Sequence, residues 1–145
     1  MTRLTRMVLI GIPVVFVLIQ AVPYGRDHDN PPVVREPKWA TEETRALAKR
    51  ACFACHSNET VWTLPTHVAP FSWLIQYVVT AARDALNFSD WTNCGREDEM
   101  REQIRSAMES REMPHWIYRV MHPECRLTDV ERKRLVLGLP APAAP

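Results

Sequence analysis

Polarity is segregated along this chain. Residues 7–23 read MVLIGIPVVFVLIQAVP, with no charge and a single Gln20, and only Arg3 and Arg6 carry charge before them. As a helix such a run spans about 25 Å at about 1.5 Å per residue, near the roughly 30 Å hydrocarbon core of a bilayer. Its exit, Ile19-Gln20-Ala21-Val22-Pro23, lacks the small-x-small pattern of signal cleavage. The pattern therefore favours an uncleaved single-pass anchor over a cleaved signal peptide. Arg3 and Arg6 orient it with a cytoplasmic N-terminus and, in a bacterial inner membrane, a periplasmic remainder.

From Pro23 to Lys38 the chain reads PYGRDHDNPPVVREPK, which has four prolines and no helical period. It reads as an extended tether, or a strap along the domain. A helix begins after Thr41, an N-cap with Glu42 and Glu43 in its first turn, and runs to about Ala51. Pro70 opens the next, with Phe71, Leu74, Ile75, Val78, Ala82 and Ala85 at helical spacing. It is too short and too interrupted for a second membrane span, so it reads as a core helix. A third covers about 97–111, with Met100, Ile104, Ala107 and Met108 as its stripe. A fourth runs from the capping-box pattern at Thr128–Glu131 to Gly138. No strand, repeat or glycine-rich phosphate loop is evident. The expected organisation is an anchor over 1–23, a tether over 24–38, an all-α domain over 39–138 and a disordered tail over 139–145.

Charge narrows the function. Lys and Arg total 18 against 17 Asp and Glu, and setting aside Arg3 and Arg6 leaves 16 basic side chains against those 17. This near balance carries no basic surplus for nucleic acid.

The chemistry lies in Cys52-Phe53-Ala54-Cys55-His56. C-x-x-C-H is the attachment sequence of c-type haem: two thiols at this spacing form thioethers with the two vinyl groups, and the next histidine ligates the iron. A thioredoxin-type reading needs strands that are absent. A zinc reading needs two further ligands, which Cys94 and Cys125 supply without paired neighbours. One covalent haem c is the expected cofactor, with His56 as proximal ligand. Candidates for the opposite face are Met100, Met108, Met113, Met121, His67, His115 and His122. Met100 and Met108 sit on the helical stripe and read as core. Met113 precedes Pro114, which disfavours helix there and holds the side chain on an extended loop, so it leads; a histidine or an open site remain alternatives. In an oxidising compartment Cys94 and Cys125 could pair as a disulfide; the other reading is two buried thiols. Of the five tryptophans, Trp39 and Trp73 read as core, whereas Trp62 and Trp116 fall near the ligand segments, where ring N–H groups could reach haem propionates.

The stretches PYGRDHDNPPV (23–33), CFACHSNET (52–60), APFSWL (69–74), LNFSDW (86–91), EMPHWIY (112–118) and HPECRLTDVE (122–131) run in this order. Together they resemble the bacterial haem-binding domain family of membrane-anchored monohaem cytochromes c. The resemblance implies a cytochrome c-like helical fold around one haem, attachment through Cys52 and Cys55, His56 as proximal ligand and Met113 at the distal position. Position 115 is His where the family often has a second proline, and Cys94 and Cys125 stand outside the pattern. The expected function is electron transfer without substrate chemistry, as a carrier or as an accessory subunit of a respiratory or photosynthetic membrane complex. The partners expected are the membrane and a redox protein or complex, with no nucleic acid and no small-molecule substrate. The alternative is a ligand-binding or peroxidase-like haem protein with an open distal site served by His67 or His115.

Overall fold

The computed structural model describes residues 2–93 and 96–140. Among these, seven α-helices and three 3-10 turns occur, and the sole β pairing is an isolated bridge between Arg35 and Asp90. The chain divides into two compact units, Met1–Asp29 with Val61–Thr80, and Asn30–Thr60 with Ala81–Pro145.

In the first unit α1 runs Arg3–Ile19. It corrects the expected membrane span over residues 7–23: no helix among the described residues is long and apolar enough to cross a membrane. The physical reason is where the helix starts and stops. It begins on Arg3, takes in Arg6 and ends at Ile19, so the apolar residues after Gln20 lie outside it. Gln20 anchors that end: its Nε2 donates to the carbonyls of Phe16 and Ala69 at 3.0 Å each, and its Oε1 accepts from Ala69 N at 3.0 Å. The single-pass inner-membrane location inferred from that span goes with it. Beyond the helix, Gly25 has φ +75° and lies so close to the Ser72 carbonyl that a Cβ there would meet the Ser72 carbonyl carbon at 2.7 Å. The unit is completed by a 3-10 turn at Leu64–His67 and by α4 (Phe71–Ala85) up to Thr80.

The second unit holds α2 (Glu42–Ala51), α3 (Phe53–His56), the end of α4, α5 (Glu97–Glu109), α6 (Trp116–Met121) and α7 (Asp129–Leu137). α2 starts at Thr41, whose hydroxyl accepts from Thr44 N at 3.1 Å. It buries Thr44, Leu47, Ala48 and Ala51. α5 contributes Met100, Ile104 and Met108, so both methionines are core, as their spacing predicts. Phe53, Phe88 and Trp91 stack in a row with centroids 5.5 and 5.9 Å apart, and Trp39 packs against Phe88 at 5.5 Å. The strap over residues 30–38 is tied down by Val34 N and Arg35 N donating to Ser89 O and by Trp91 N donating to Arg35 O. Glu36 accepts from Trp39 Nε1 at 2.8 Å and from Arg45 at 2.8 and 2.7 Å; the Arg45 guanidinium holds its carboxyl below the usual range. Leu139, expected in a disordered tail, is buried in this core. Residues 141–145 lie outside the described residues.

The capping box at α7 is complete. Thr128 Oγ1 accepts from Glu131 N at 3.2 Å, and Glu131 Oε2 accepts from Thr128 N at 2.8 Å. Arg50 donates to the other carboxylate oxygen at 2.5 Å. The backbone N–H of Thr128, then the Arg50 and Thr128 side chains, pull the Glu131 carboxyl down to about 2. Because the folded value lies below the ordinary 4.5, its stabilisation is present above about pH 4.5 and disappears as pH falls toward 2. Glu131→Gln keeps the cap acceptor but removes the charge. Its melting temperature should fall less steeply than that of the wild type between about pH 5 and pH 2; parallel curves would show that the carboxylate contributes nothing.

Candidate haem site

α2 ends at Ala51, and Cys52 N still donates to Ala48 O at 2.8 Å, so the chain enters the attachment motif directly from a helix. The next turn, α3, closes with Cys55 N and His56 N both donating to Cys52 O, at 3.1 and 2.9 Å. This turn brings Cys52, Cys55 and His56 together. The His56 carbonyl accepts from Phe88 N at 2.8 Å, which ties the motif to the aromatic row.

The imidazole is held from one side. His56 Nδ1 lies 3.0 Å from Ala82 O and 3.0 Å from Leu86 O, at the C-terminal end of α4, where helix carbonyls lack their usual partners. Carbonyl oxygens only accept, so Nδ1 carries the proton and the lone pair belongs to Nε2. No hydrogen bond among the described residues engages Nε2. Burial pushes the ring's pKa down against the opposing effect of the two carbonyls, which favours the neutral form. A neutral ring with Nδ1–H pinned to a carbonyl and Nε2 free is the form that binds a metal.

Burial pushes the Cys52 thiol up to about 12, with the neighbouring Cys55 and Cys125 thiols adding to the rise and Arg132 opposing it. Burial raises Cys55 likewise, against the pull of Arg83. Both stay protonated near neutrality. Among the described residues no group of three or more His, Cys, Asp or Glu side chains is arranged to hold a bare metal ion.

The loop after the motif is fastened by side chains that spacing alone does not single out. Arg83 Nε donates to Ser57 O at 2.8 Å, and its terminal nitrogen donates to Asn30 Oδ1 at 2.7 Å and Thr60 Oγ1 at 3.0 Å. Thr60 Oγ1 in turn donates to Ala54 O at 3.0 Å, inside α3. Asn58 Nδ2 donates to Pro32 O, Asn87 Nδ2 donates to Asn58 Oδ1, and Asn58 N donates to Ser89 Oγ. Apart from Arg83 and Ala54, these residues fall in the SNET, LNFSDW and DNPP stretches, so those segments form one polar clamp on the attachment turn.

Met113 lies in the loop between α5 and α6, 38% exposed. Its carbonyl accepts from Arg132 at 2.8 Å, and Arg132 also lies within electrostatic reach of Cys52. Met121 is exposed, His122 stacks on Tyr118 at 4.4 Å and bonds Glu124 at 2.9 Å, and His115 packs beside Trp116. His67 meets His28 edge-on in the first unit, 4.1 Å between centroids. Trp116 is 61% exposed, and the Trp62 and Trp73 ring nitrogens are buried without a partner among the described residues. Of the expected Cys94–Cys125 disulfide, Cys94 lies outside the described residues, and Cys125 is a buried free thiol.

The family model described as the haem-binding domain matches residues 14–140, most of the chain. The chain belongs to the haem-binding domain family. No curated protein and no solved structure matches it. The residues of this haem-binding domain fit the group that its family binds. Two half-buried, protonated thiols and an imidazole with a free Nε2 share one turn, and the ring is oriented by main-chain acceptors.

Proposed function

We propose that this haem-binding domain is a monohaem c-type cytochrome that passes single electrons, as a carrier or as an accessory subunit of an electron-transfer complex, with a redox protein as its partner. Cys52 and Cys55 would hold the haem as thioethers, and His56 Nε2 and the Met113 sulfur would ligate its iron. When bound, the haem supplies one-electron iron chemistry. The chain does the rest. The Ala82 and Leu86 carbonyls orient the imidazole, and the Arg83 clamp fixes the loop that carries it. Arg132 holds the Met113 carbonyl. With His56 and Met113 both engaged, the haem would pass electrons without making or breaking a substrate bond.

The observation that carries this reading is the half-buried His56 ring, neutral and pinned through Nδ1 beside two half-buried thiols. A sulfur ligand opposite an imidazole raises the reduction potential relative to two histidines. The ferric spectrum tests the assignment. A low-spin spectrum with a long-wavelength sulfur-to-iron band, lost in Met113→Ala, is expected. A high-spin spectrum in the wild type contradicts it and points to a ligand-binding haem.

A further inference from the structure

In the second unit, α6, the turn at Cys125 and the start of α7 surround a cavity of about 400 Å³. Four guanidinium groups line it, those of Arg111, Arg119, Arg126 and Arg132, with the Trp116 ring and a single carboxylate, Asp129. That carboxylate is already engaged by Arg111 at 2.9 Å. The nearby acids on the same elements are committed elsewhere, Glu131 to Arg50 and Glu124 to His122. Among the described residues no carboxylate pairs with Arg119, Arg126 or Arg132.

The arginines are held by main-chain oxygens, which fix their positions without neutralising them. Arg126 Nε donates to Arg119 O at 3.1 Å, and Arg132 donates to Met113 O at 2.8 Å. Arg132 is 7% exposed. Arginines on a solvated face spread apart, whereas these converge on one concavity and include a buried member. Such a cluster raises the energy of the free protein, and a counter-anion relieves it. The planar guanidinium fork matches carboxylate and phosphate oxygens two at a time.

We propose that this cavity is a binding site for a small, multiply charged anion bearing carboxylate or phosphate oxygens, gripped by Arg111, Arg119 and Arg126 over the buried charge of Arg132. Cys52, Cys55 and His56 are not among the residues that line it. Through the Arg132–Met113 bond, its occupancy reaches the loop that carries Met113.

Calorimetric titration of the haem-loaded chain with citrate and with inorganic pyrophosphate, at low ionic strength, tests this. Saturable one-to-one binding is expected, weakened at least tenfold in the double variant Arg119→Gln, Arg126→Gln and unchanged in Arg96→Gln, an exposed arginine that does not line the cavity. Val120→Glu, at an exposed lining position, adds a competing carboxylate while keeping every arginine, and should weaken binding as strongly. Absence of saturable binding to the haem-loaded chain overturns the proposal. So does binding that the arginine pair and Val120→Glu leave unchanged.

Discussion

His56→Ala is expected to convert the haem to a high-spin form and to slow electron exchange at least tenfold, with the thioethers to Cys52 and Cys55 intact. The imidazoles of His67 and His122 are engaged elsewhere. His122 is stacked on Tyr118 and bonded to Glu124, and the His67 ring is packed on His28. The alanine also leaves the Ala82 and Leu86 carbonyls without the N–H they share, a loss of about 1–3 kcal/mol if water does not replace it. Axial ligands set haem potentials over a range of roughly 0.8 V, so a midpoint shift on the order of a hundred millivolts should accompany the spectral change. Ferric spectra and redox titration of the variant check this. A low-spin spectrum unchanged from the wild type would remove His56 from the iron.

The second large effect is on stability. At Gly138 the need for glycine comes from close approach rather than from φ, which is −89°. A Cβ there would collide with Thr44 Oγ1 and Cγ2 and lie 2.8 Å from Thr44 Cβ. Thr44 cannot retreat: it is 2% exposed, its hydroxyl pairs with that of Thr41 at 3.0 Å, and Gly138 O accepts from Ala40 N at 3.0 Å. Overpacking at such a contact costs about 3 kcal/mol, at the upper end of the usual range. That corresponds to a melting temperature lower by about 10 °C or more for a domain of this size. Gly11→Ala, inside α1 with nothing near its Cβ, is the control and should melt no lower than the wild type. Thermal unfolding of haem-loaded Gly138→Ala and Gly11→Ala decides, and equal melting would show that α2 and α7 yield at this contact.

The helices legible in the sequence are those with a cap and a stripe. Thr41 and Thr128 mark the starts of α2 and α7, Met100, Ile104 and Met108 mark α5, and all lie within a residue or two of the expected bounds. α6 escapes because WIYRVM is only six residues, buries none of them and lies between Pro114 and Pro123. The membrane span misled because hydropathy counts residues up to Pro23, whereas Gln20 folds back on the Phe16 carbonyl as the helix ends at Ile19. At the site, Cys52, Cys55 and His56 are legible because their spacing is itself the chemistry. Arg83 and Arg132 are not, because their roles rest on carbonyls 26 and 19 residues away in the chain, and each reads locally as one more surface charge. Trp91 is among the most buried side chains, yet nothing in its neighbourhood distinguishes it from the other four tryptophans before Phe88 stacks on it.

The most direct test of a haem joined to Cys52 and Cys55 is the mass of the purified chain under denaturing conditions. A mass exceeding that of the polypeptide by one haem is expected, falling to the polypeptide alone when both cysteines are replaced by alanine. A wild-type chain that weighs no more than its sequence, with its haem extracted into acidified solvent, would contradict it.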